Sequence, residues 1–155
     1  MNKPAHQIDK KTKICISIAE RPGSFGAEFH NLGYQFLGLN FLYFPRQVSS
    51  SELPQAIQAV KTFQITGCSV SMPHKEKVID YLDRLDHSAG KVGAVNTIKN
   101  ERGVLTGYNT DFYGAKRAIE EALAIKGKRV VLIGAGGAAK AIAYAVKELG
   151  GDLTI

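Results

Sequence analysis

"VVLIGAGGAAKA", residues 130–141, passes from an apolar strand pattern to a helical pattern through a glycine-rich loop. Gly134, Gly136 and Ala139 stand in the G-x-G-x-x-G/A arrangement of a turn that receives a dinucleotide pyrophosphate. Gly134 permits the tight turn, Gly136 leaves room for a phosphate, and Ala139 lets the helix lie close to the strand. Main-chain N–H groups at the helix start face such an anion. The stretch predicts nucleotide binding, and a merely tight strand–helix turn is the alternative.

Strand and helix patterns alternate along the rest of the chain, and this alternation predicts an α/β fold with a mostly parallel sheet covered by helices. A hairpin turning at Gly103 hands over to a helix near residues 108–112, so we place a domain boundary there. We expect an N-terminal α/β substrate domain over 1–110 and the beginning of a nucleotide-binding domain over 111–155. The predicted strands are 13–19, 39–44, 66–72, 129–133 and 152–155, and the predicted helices are 23–38, 49–63, 74–85, 110–125 and 134–150.

Two of the predicted helices carry specific expectations. The helix over 49–63 follows a serine-rich start, so we expect a serine cap there. The helix over 23–38 places a run of apolar side chains on one side at helical spacing, namely Phe25, Phe29, Leu32 and Phe36.

The composition is that of a soluble globular protein, with 45% hydrophobic and 22% charged residues. No apolar run approaches the roughly 20 residues that span a bilayer, and the N-terminus "MNKPAHQIDKKTK" lacks the apolar core of a secretory signal. We therefore expect a cytoplasmic protein without a membrane partner. The net charge of +6 is scattered and forms no basic stripe interleaved with aromatics, so we do not expect nucleic-acid binding. Small anionic ligands fit this charge.

The cysteines and histidines show no metal-ligand spacing. Cys15 and Cys68 lie in apolar strand-like runs, so we predict buried free thiols rather than a disulfide framework. The histidines, at positions 6, 30, 74 and 87, form no ligand pattern with them.

Four segments, "VSMPHKE" (70–76), "GAVNT" (93–97), "GYNTD" (107–111) and "LIGAGGAAKA" (132–141), occur together in this order. With these motifs the chain resembles the shikimate dehydrogenases from about residue 14 to its end. In that family an N-terminal α/β domain binds shikimate and a Rossmann domain binds NADP. The resemblance implies reversible hydride transfer between NADPH and 3-dehydroshikimate, and it leaves NAD open as the cofactor.

The resemblance also implies roles for individual residues. It implies that Lys75 and Asp111 form the catalytic pair, in which a lysine supplies the proton that ketone reduction requires. Taken singly, these residues have ordinary alternatives, because solvated helix residues, caps and turns carry the same side chains. Together they lie at the ends of predicted elements, where an α/β sheet forms its cleft. The implied substrate-binding residues are Ser24, Ser71, Asn96 and Asp111, and the implied cofactor-binding residues are Gly134, Ala135, Gly136, Gly137 and Ala138.

The chain departs from the family pattern at two places. Gly26 stands where the family has the second serine of a Ser-x-Ser pair, and Phe112 stands where it commonly has glycine. The lead "AERPG" also introduces Arg21, which either pairs with a carboxylate or is a solvated loop charge. These departures leave open whether the substrate is shikimate or a related cyclic polyol acid such as quinate.

Other interpretations remain alongside the enzyme. A non-catalytic sensor could bind the same ligands on the same fold, and another two-domain dehydrogenase, such as a folate-linked one, could share the architecture. A homodimer is also left open. Because one strand–helix–strand unit cannot cover both faces of a Rossmann sheet, we expect the chain to be part of a longer protein.

Overall fold

The computed structural model describes residues 8–155. Residues 1–7, which include His6 and the first residues of the predicted 1–110 domain, lie outside the described residues. The strands are β1 (Lys13–Ala19), β2 (Phe41–Gln47), β3 (Gly67–Val70), β4 (Arg84–Leu85), β5 (Thr97–Glu101), β6 (Val104–Tyr108), β7 (Arg129–Val131) and β8 (Asp152–Thr154). The helices are α1 (Phe25–Phe36), α2 (Leu53–Thr62), α3 (His87–Val92), α4 (Thr110–Ala122) and α5 (Gly137–Glu148), with a 3₁₀ helix at Lys77–Tyr81.

The strands form one six-stranded sheet, in the order β2-β1-β3-β5-β6-β4, and one two-stranded sheet of β7 and β8. β1 pairs in parallel with β2 and β3, β4 with β6, and β7 with β8, whereas β5 runs antiparallel to both its neighbours. The predicted α/β class with a mostly parallel sheet is therefore confirmed. The hairpin of β5 and β6 turns at Arg102 and Gly103, both of which have positive φ angles. The domain boundary near 108–112 stays a prediction.

Two apolar clusters hold the described chain together. The larger cluster lies on the six-stranded sheet and includes Ile18, Leu53, Val60 and Ile98, each at most 2% exposed. The smaller cluster joins α4 and α5 to the end of α3, and its buried members are Val92, Ala94, Phe112, Ala141 and Ala145. This second cluster contains residues from before and after position 110. It therefore packs α5 against α4 and the end of α3.

Helix α1 packs on strand β2 through its polar side, which is opposite to the side that carries the four apolar residues. The Asn31 amide donates to the Tyr43 carbonyl (2.7 Å) and accepts from the Tyr43 N–H (2.8 Å), and the His30 ring stacks on the Tyr43 ring at 4.3 Å. These polar bonds to the main chain of an edge strand fix the helix and occupy groups that an edge otherwise exposes. As a result, the predicted apolar side faces outward, with 65–81% exposure at Phe25, Phe29, Leu32 and Phe36.

The predicted helix over 74–85 is wrong. The chain makes only a short 3₁₀ helix there, and then the Asp83 N–H donates to the Leu105 carbonyl while β4 pairs in parallel with β6. Residues 83–85 therefore hydrogen-bond to β6, although their local sequence pattern predicts a helix. The predicted serine cap of α2 is also wrong, because Glu52 occupies the N-cap and binds Ser49 with its carboxylate.

Both cysteines are free thiols, and they differ in burial. Cys68 is 1% exposed, which confirms the prediction for that residue. Cys15 is only partly buried, which corrects the prediction, because its neighbour in β3 is Gly67 and offers no side chain to cover it.

Both thiols are expected to react slowly with a thiol reagent in the folded protein. Burial raises the pKa of Cys15, and it raises the pKa of Cys68 to about 12, so little reactive thiolate is present near neutral pH. A disulfide-exchange colour assay at pH 7.5 should show almost no fast reaction without denaturant and two equivalents with it. Fast labelling of Cys68 in the folded protein would contradict this burial.

Within residues 8–155 we find no helix of the length and hydropathy that crossing a membrane requires. Over the same range, no group of three or more His, Cys, Asp and Glu side chains is arranged to hold a metal ion.

Candidate active site

The parallel strands β1 and β3 bring the predicted site segments to one sheet edge. The Ser71 N–H donates to the Ile18 carbonyl (2.9 Å), and the Glu20 N–H donates to the Met72 carbonyl (3.2 Å). The loop that leads from β1 to Ser24 therefore begins beside the segment that leads from β3 to Lys75. This is the carboxyl edge of the parallel strands, where ligands bind in α/β folds.

The Lys75 segment is anchored at three points. The His74 N–H donates to the Ser71 carbonyl (2.9 Å), and its ring Nε2 donates to the Val48 carbonyl (2.8 Å). The Lys75 carbonyl accepts from the Val95 N–H (2.7 Å). His74 is 1% exposed, so its ring holds this segment against Val48 and is not available to bind a metal or a substrate. Because the backbone is held on both sides, the Lys75 side chain leaves it from a fixed position.

Asp111 is presented by the first turn of α4, and Asn109 determines where that helix begins. The Asn109 Oδ1 accepts from the Phe112 N–H (3.0 Å), which is the usual capping bond. Its Nδ2 donates to the Ala94 carbonyl (2.8 Å), and its own N–H donates to Ser88 Oγ (3.0 Å). A carboxylate in the first helical turn is also favoured by the helix dipole.

Lys75, Asp111 and Asn96 form one connected group. Lys75 Nζ donates to Asp111 Oδ2 at 2.6 Å, and Asn96 Nδ2 donates to Asp111 Oδ1 at 2.7 Å. The side chains of Lys75 and Asp111 are 16% and 33% exposed, so the pair is shielded yet reachable from solvent. Both carboxylate oxygens have a partner within the protein, which fixes the direction in which the ammonium points.

Thr110 belongs to the same network, although the sequence reasoning did not single it out. Its N–H donates to Asn96 Oδ1 (2.9 Å), and its hydroxyl accepts from Asn96 Nδ2 (2.8 Å). Thr97 also donates its hydroxyl to Asn96 Oδ1 (3.0 Å). The sequence could have indicated both threonines by their position, because Thr97 directly follows Asn96 and Thr110 directly precedes Asp111.

The two predicted serines lie at this edge without joining the network. Ser24 occupies the N-cap position of α1 and makes no side-chain capping bond. Within residues 8–155, the hydroxyls of Ser24 and Ser71 have no hydrogen-bond partner, and both residues are exposed. They are therefore free to bind a ligand hydroxyl or carboxylate.

The departures from the family pattern have different surroundings. Phe112 is 5% exposed and packs against Tyr144 of α5 with ring centroids 5.0 Å apart, so it faces the helix interface rather than the lysine. At Gly26, an added Cβ would lie 3.6 Å from the Tyr43 ring, which is an ordinary contact. Arg21 is exposed and makes no ion pair within the described part of the chain.

The glycine loop suits an anionic dinucleotide. Gly134 has φ +123°, a conformation that other residues rarely adopt, and no atom lies within 4 Å of a Cβ added at Gly136. α5 begins at Gly137, and its first turn carries no acidic residue that would repel a phosphate. The loop therefore has the turn, the open side and the N–H groups that suit a dinucleotide pyrophosphate.

The same loop lies beside the lysine. A Cβ added at Gly137 would be 3.1 Å from the Cβ of Lys75. The structure thus brings Lys75, Asp111, Asn96 and the glycine loop together at one edge, from segments far apart in sequence.

Comparison with known proteins identifies the family to which this chain is similar. The model of the shikimate dehydrogenase substrate binding domain matches residues 22–98. The shikimate dehydrogenase (NADP(+)) of Carboxydothermus hydrogenoformans is 46% identical over 129 residues, covering 83% of this chain and 46% of that protein. The chain belongs to the shikimate dehydrogenase family. The family prediction is thereby confirmed.

Two further relatives cover more of the chain. A shikimate dehydrogenase-like protein of Haemophilus influenzae is 41% identical over 143 residues, covering 92% of this chain and 52% of that protein. The crystal structure of shikimate 5-dehydrogenase from Listeria monocytogenes in complex with shikimate and NAD has a TM-score of 0.85 and 39% identity, covering 96% of this chain and 52% of that one. The chain spans about half the length of the curated relatives that it matches.

Proposed function

We propose that the protein catalyses the reversible NADP-dependent reduction of 3-dehydroshikimate to shikimate. The observation that carries this proposal is the Lys75–Asp111 contact of 2.6 Å, formed beside a glycine loop suited to a dinucleotide. A ketone reduction needs a hydride at carbon and a proton at oxygen. The glycine loop suits the cofactor that donates the hydride, and the Lys75–Asp111 pair suits the transfer of the proton. Relatives named shikimate dehydrogenase (NADP(+)) support the same choice of substrate and cofactor.

Each side chain has a distinct role in this reaction. Residues 134–138 would hold NADPH, which would supply the hydride. Lys75 places its ammonium where it can donate a proton to the ketone oxygen, and in the reverse direction its amine accepts the proton from the alcohol. Asp111 holds that ammonium in place with Oδ2, while Asn96 orients the carboxylate through Oδ1.

Substrate recognition falls to neutral hydroxyl and amide groups at the same edge. A cyclic polyol acid offers several hydroxyls and one carboxylate, and the Ser24 and Ser71 hydroxyls are free to bind them. Because Gly26 supplies no second hydroxyl at the start of α1, quinate remains a second candidate for the same reaction.

The proposal is tested by assaying the full-length protein with shikimate and with quinate, each with NADP and with NAD. We expect nicotinamide reduction to be fastest with shikimate and NADP. Faster turnover of quinate would move the assignment to that substrate. Binding of either ligand without turnover by either cofactor would instead support the non-catalytic sensor.

Replacing Gly26 by serine is expected to lower KM for shikimate by about tenfold or less, because one neutral hydrogen bond contributes on the order of 1 kcal/mol. The value of kcat should change little, which is the pattern of a contact made equally in the ground and transition states. The Tyr43 ring leaves room for the added side chain. Steady-state kinetics measure both constants, and Gly26→Ala is the control that adds a methyl group without a hydroxyl. An unchanged KM would mean that the carboxylate is held elsewhere, with Arg21 the next candidate.

A further inference from the structure

Two adjoining contacts join the start of α5 to the Lys75 segment. A Cβ added at Gly137 would lie 3.1 Å from the Cβ of Lys75 and 3.3 Å from its Cδ. One turn further along α5, Lys140 Nζ donates to Glu76 Oε2 at 2.6 Å. Glu76 follows Lys75 directly in sequence, so both contacts act on the same short segment of chain.

The two adjacent glycines of the loop face different neighbours. At Gly136 an added Cβ would meet nothing within 4 Å, whereas at Gly137 it would press on the aliphatic stem of Lys75. Gly136 therefore has open space beside it, where a ligand can fit. Gly137 leaves space for another part of the protein itself.

The stem of Lys75 cannot easily move away from an added methyl group. Its backbone carbonyl is bonded to the Val95 N–H, and its ammonium is bonded to Asp111. With both ends held, a methyl group at position 137 requires the Lys75 stem or the start of α5 to shift by a few tenths of an ångström. Either movement changes the separation between the glycine loop and the ammonium.

We propose that Gly137 and the Glu76–Lys140 pair form a docking contact that sets the position of the glycine loop relative to the Lys75 ammonium. The inference rests on the proposed function, because the hydride and the proton must reach the two atoms of one carbonyl group. Gly137, Glu76 and Lys140 are positioning residues in this arrangement. The side chains of the ion pair are about half exposed, so its contribution is to orientation more than to stability.

The first test compares Gly137→Ala with Gly136→Ala in the full-length protein. Both variants keep the backbone N–H groups that face a phosphate. We expect Gly137→Ala to lower kcat at saturating NADP by about tenfold or more, because a small misplacement of reacting groups is costly. Its NADP dissociation constant, measured by fluorescence titration, should rise less than that of Gly136→Ala, because the methyl group added at 137 faces Lys75 whereas the one added at 136 faces open space. Weakened NADP binding in Gly137→Ala with unchanged kcat would overturn the proposal.

The second test examines the ion pair without relying on activity. Glu76→Gln and Lys140→Gln should each speed hydrogen–deuterium exchange of the first helix-bonded amides of α5, beginning at position 140, whose N–H donates to the Gly136 carbonyl. The charge-reversed double variant Glu76→Lys/Lys140→Glu should restore slow exchange. Unchanged exchange in both single variants would overturn the docking contact. If the wild-type protein turned over neither shikimate nor quinate, the proposed function would fail, and the exchange experiment would still decide whether the contact exists.

Discussion

Replacing Lys75 by alanine is expected to lower kcat of the full-length protein by about 10²- to 10⁴-fold, with a much smaller change in KM. The lysine side chain is only 16% exposed and its Nζ lies 2.6 Å from Asp111 Oδ2, so the substitution removes the ammonium that this pair positions. A rate loss of this size is the usual effect of removing a general acid–base group. Steady-state kinetics with shikimate and NADP measure it.

Asp111→Asn is expected to be damaging too, and for two structural reasons. The substitution removes the charge opposite the Lys75 ammonium, and the new amide cannot accept from both Lys75 and Asn96 as the carboxylate does. The double variant Lys75→Ala/Asp111→Asn should then be little worse than the more damaging single variant, because residues that act as one unit lose their joint effect with the first substitution.

Lys77→Ala provides the matched control for Lys75→Ala. Lys77 lies two residues further on and also pairs with an aspartate, Asp80, at 2.7 Å, but both of these side chains are more than half exposed. We expect the kcat of Lys77→Ala to equal that of the wild type.

Fully additive losses in the double variant Lys75→Ala/Asp111→Asn would show two independent binding contacts in place of a catalytic pair.

Asn109→Ala is expected to lower the free energy of unfolding by about 2–4 kcal/mol, the sum of a lost helix cap and an unpaired buried carbonyl. Asn109 is 0% exposed, and its side chain bonds both the Phe112 N–H and the Ala94 carbonyl. Because α4 begins at this cap, the variant should also misplace Asp111 and lower activity. Urea denaturation followed by circular dichroism measures the stability loss.

A second N-cap position supplies the comparison for Asn109. Ser24 caps α1 without any side-chain bond, so Ser24→Ala should change the free energy of unfolding by less than about 0.5 kcal/mol. Asn109→Ser, which keeps a capping oxygen and loses only the bond to Ala94, should fall between the two. If Asn109→Ala were as mild as Ser24→Ala, the Asn109 network would not be what holds the start of α4.

Elements governed by neighbouring residues were predicted well from sequence. β1 has the predicted bounds, the hairpin turns at Gly103, and α4 begins at the predicted residue. The helix predicted over 23–38 forms as α1 (Phe25–Phe36), but the sequence left open which side of it packs on the sheet. The helix predicted over 74–85 does not form, and both outcomes depend on distant partners. Asn31 hydrogen-bonds to Tyr43, and Asp83 hydrogen-bonds to Leu105. Neither contact can be recognised from the residues that surround it in the sequence.

The sequence by itself determined the family and the turn at Gly134, and through the family resemblance it singled out Lys75 and Asp111, because each motif consists of a few adjacent residues. Only the tertiary structure decided that the two side chains meet at 2.6 Å across 36 positions, and that Gly137 lies against the stem of the lysine. Those distances follow from how the elements pack, and packing is determined by contacts between residues that are remote in sequence.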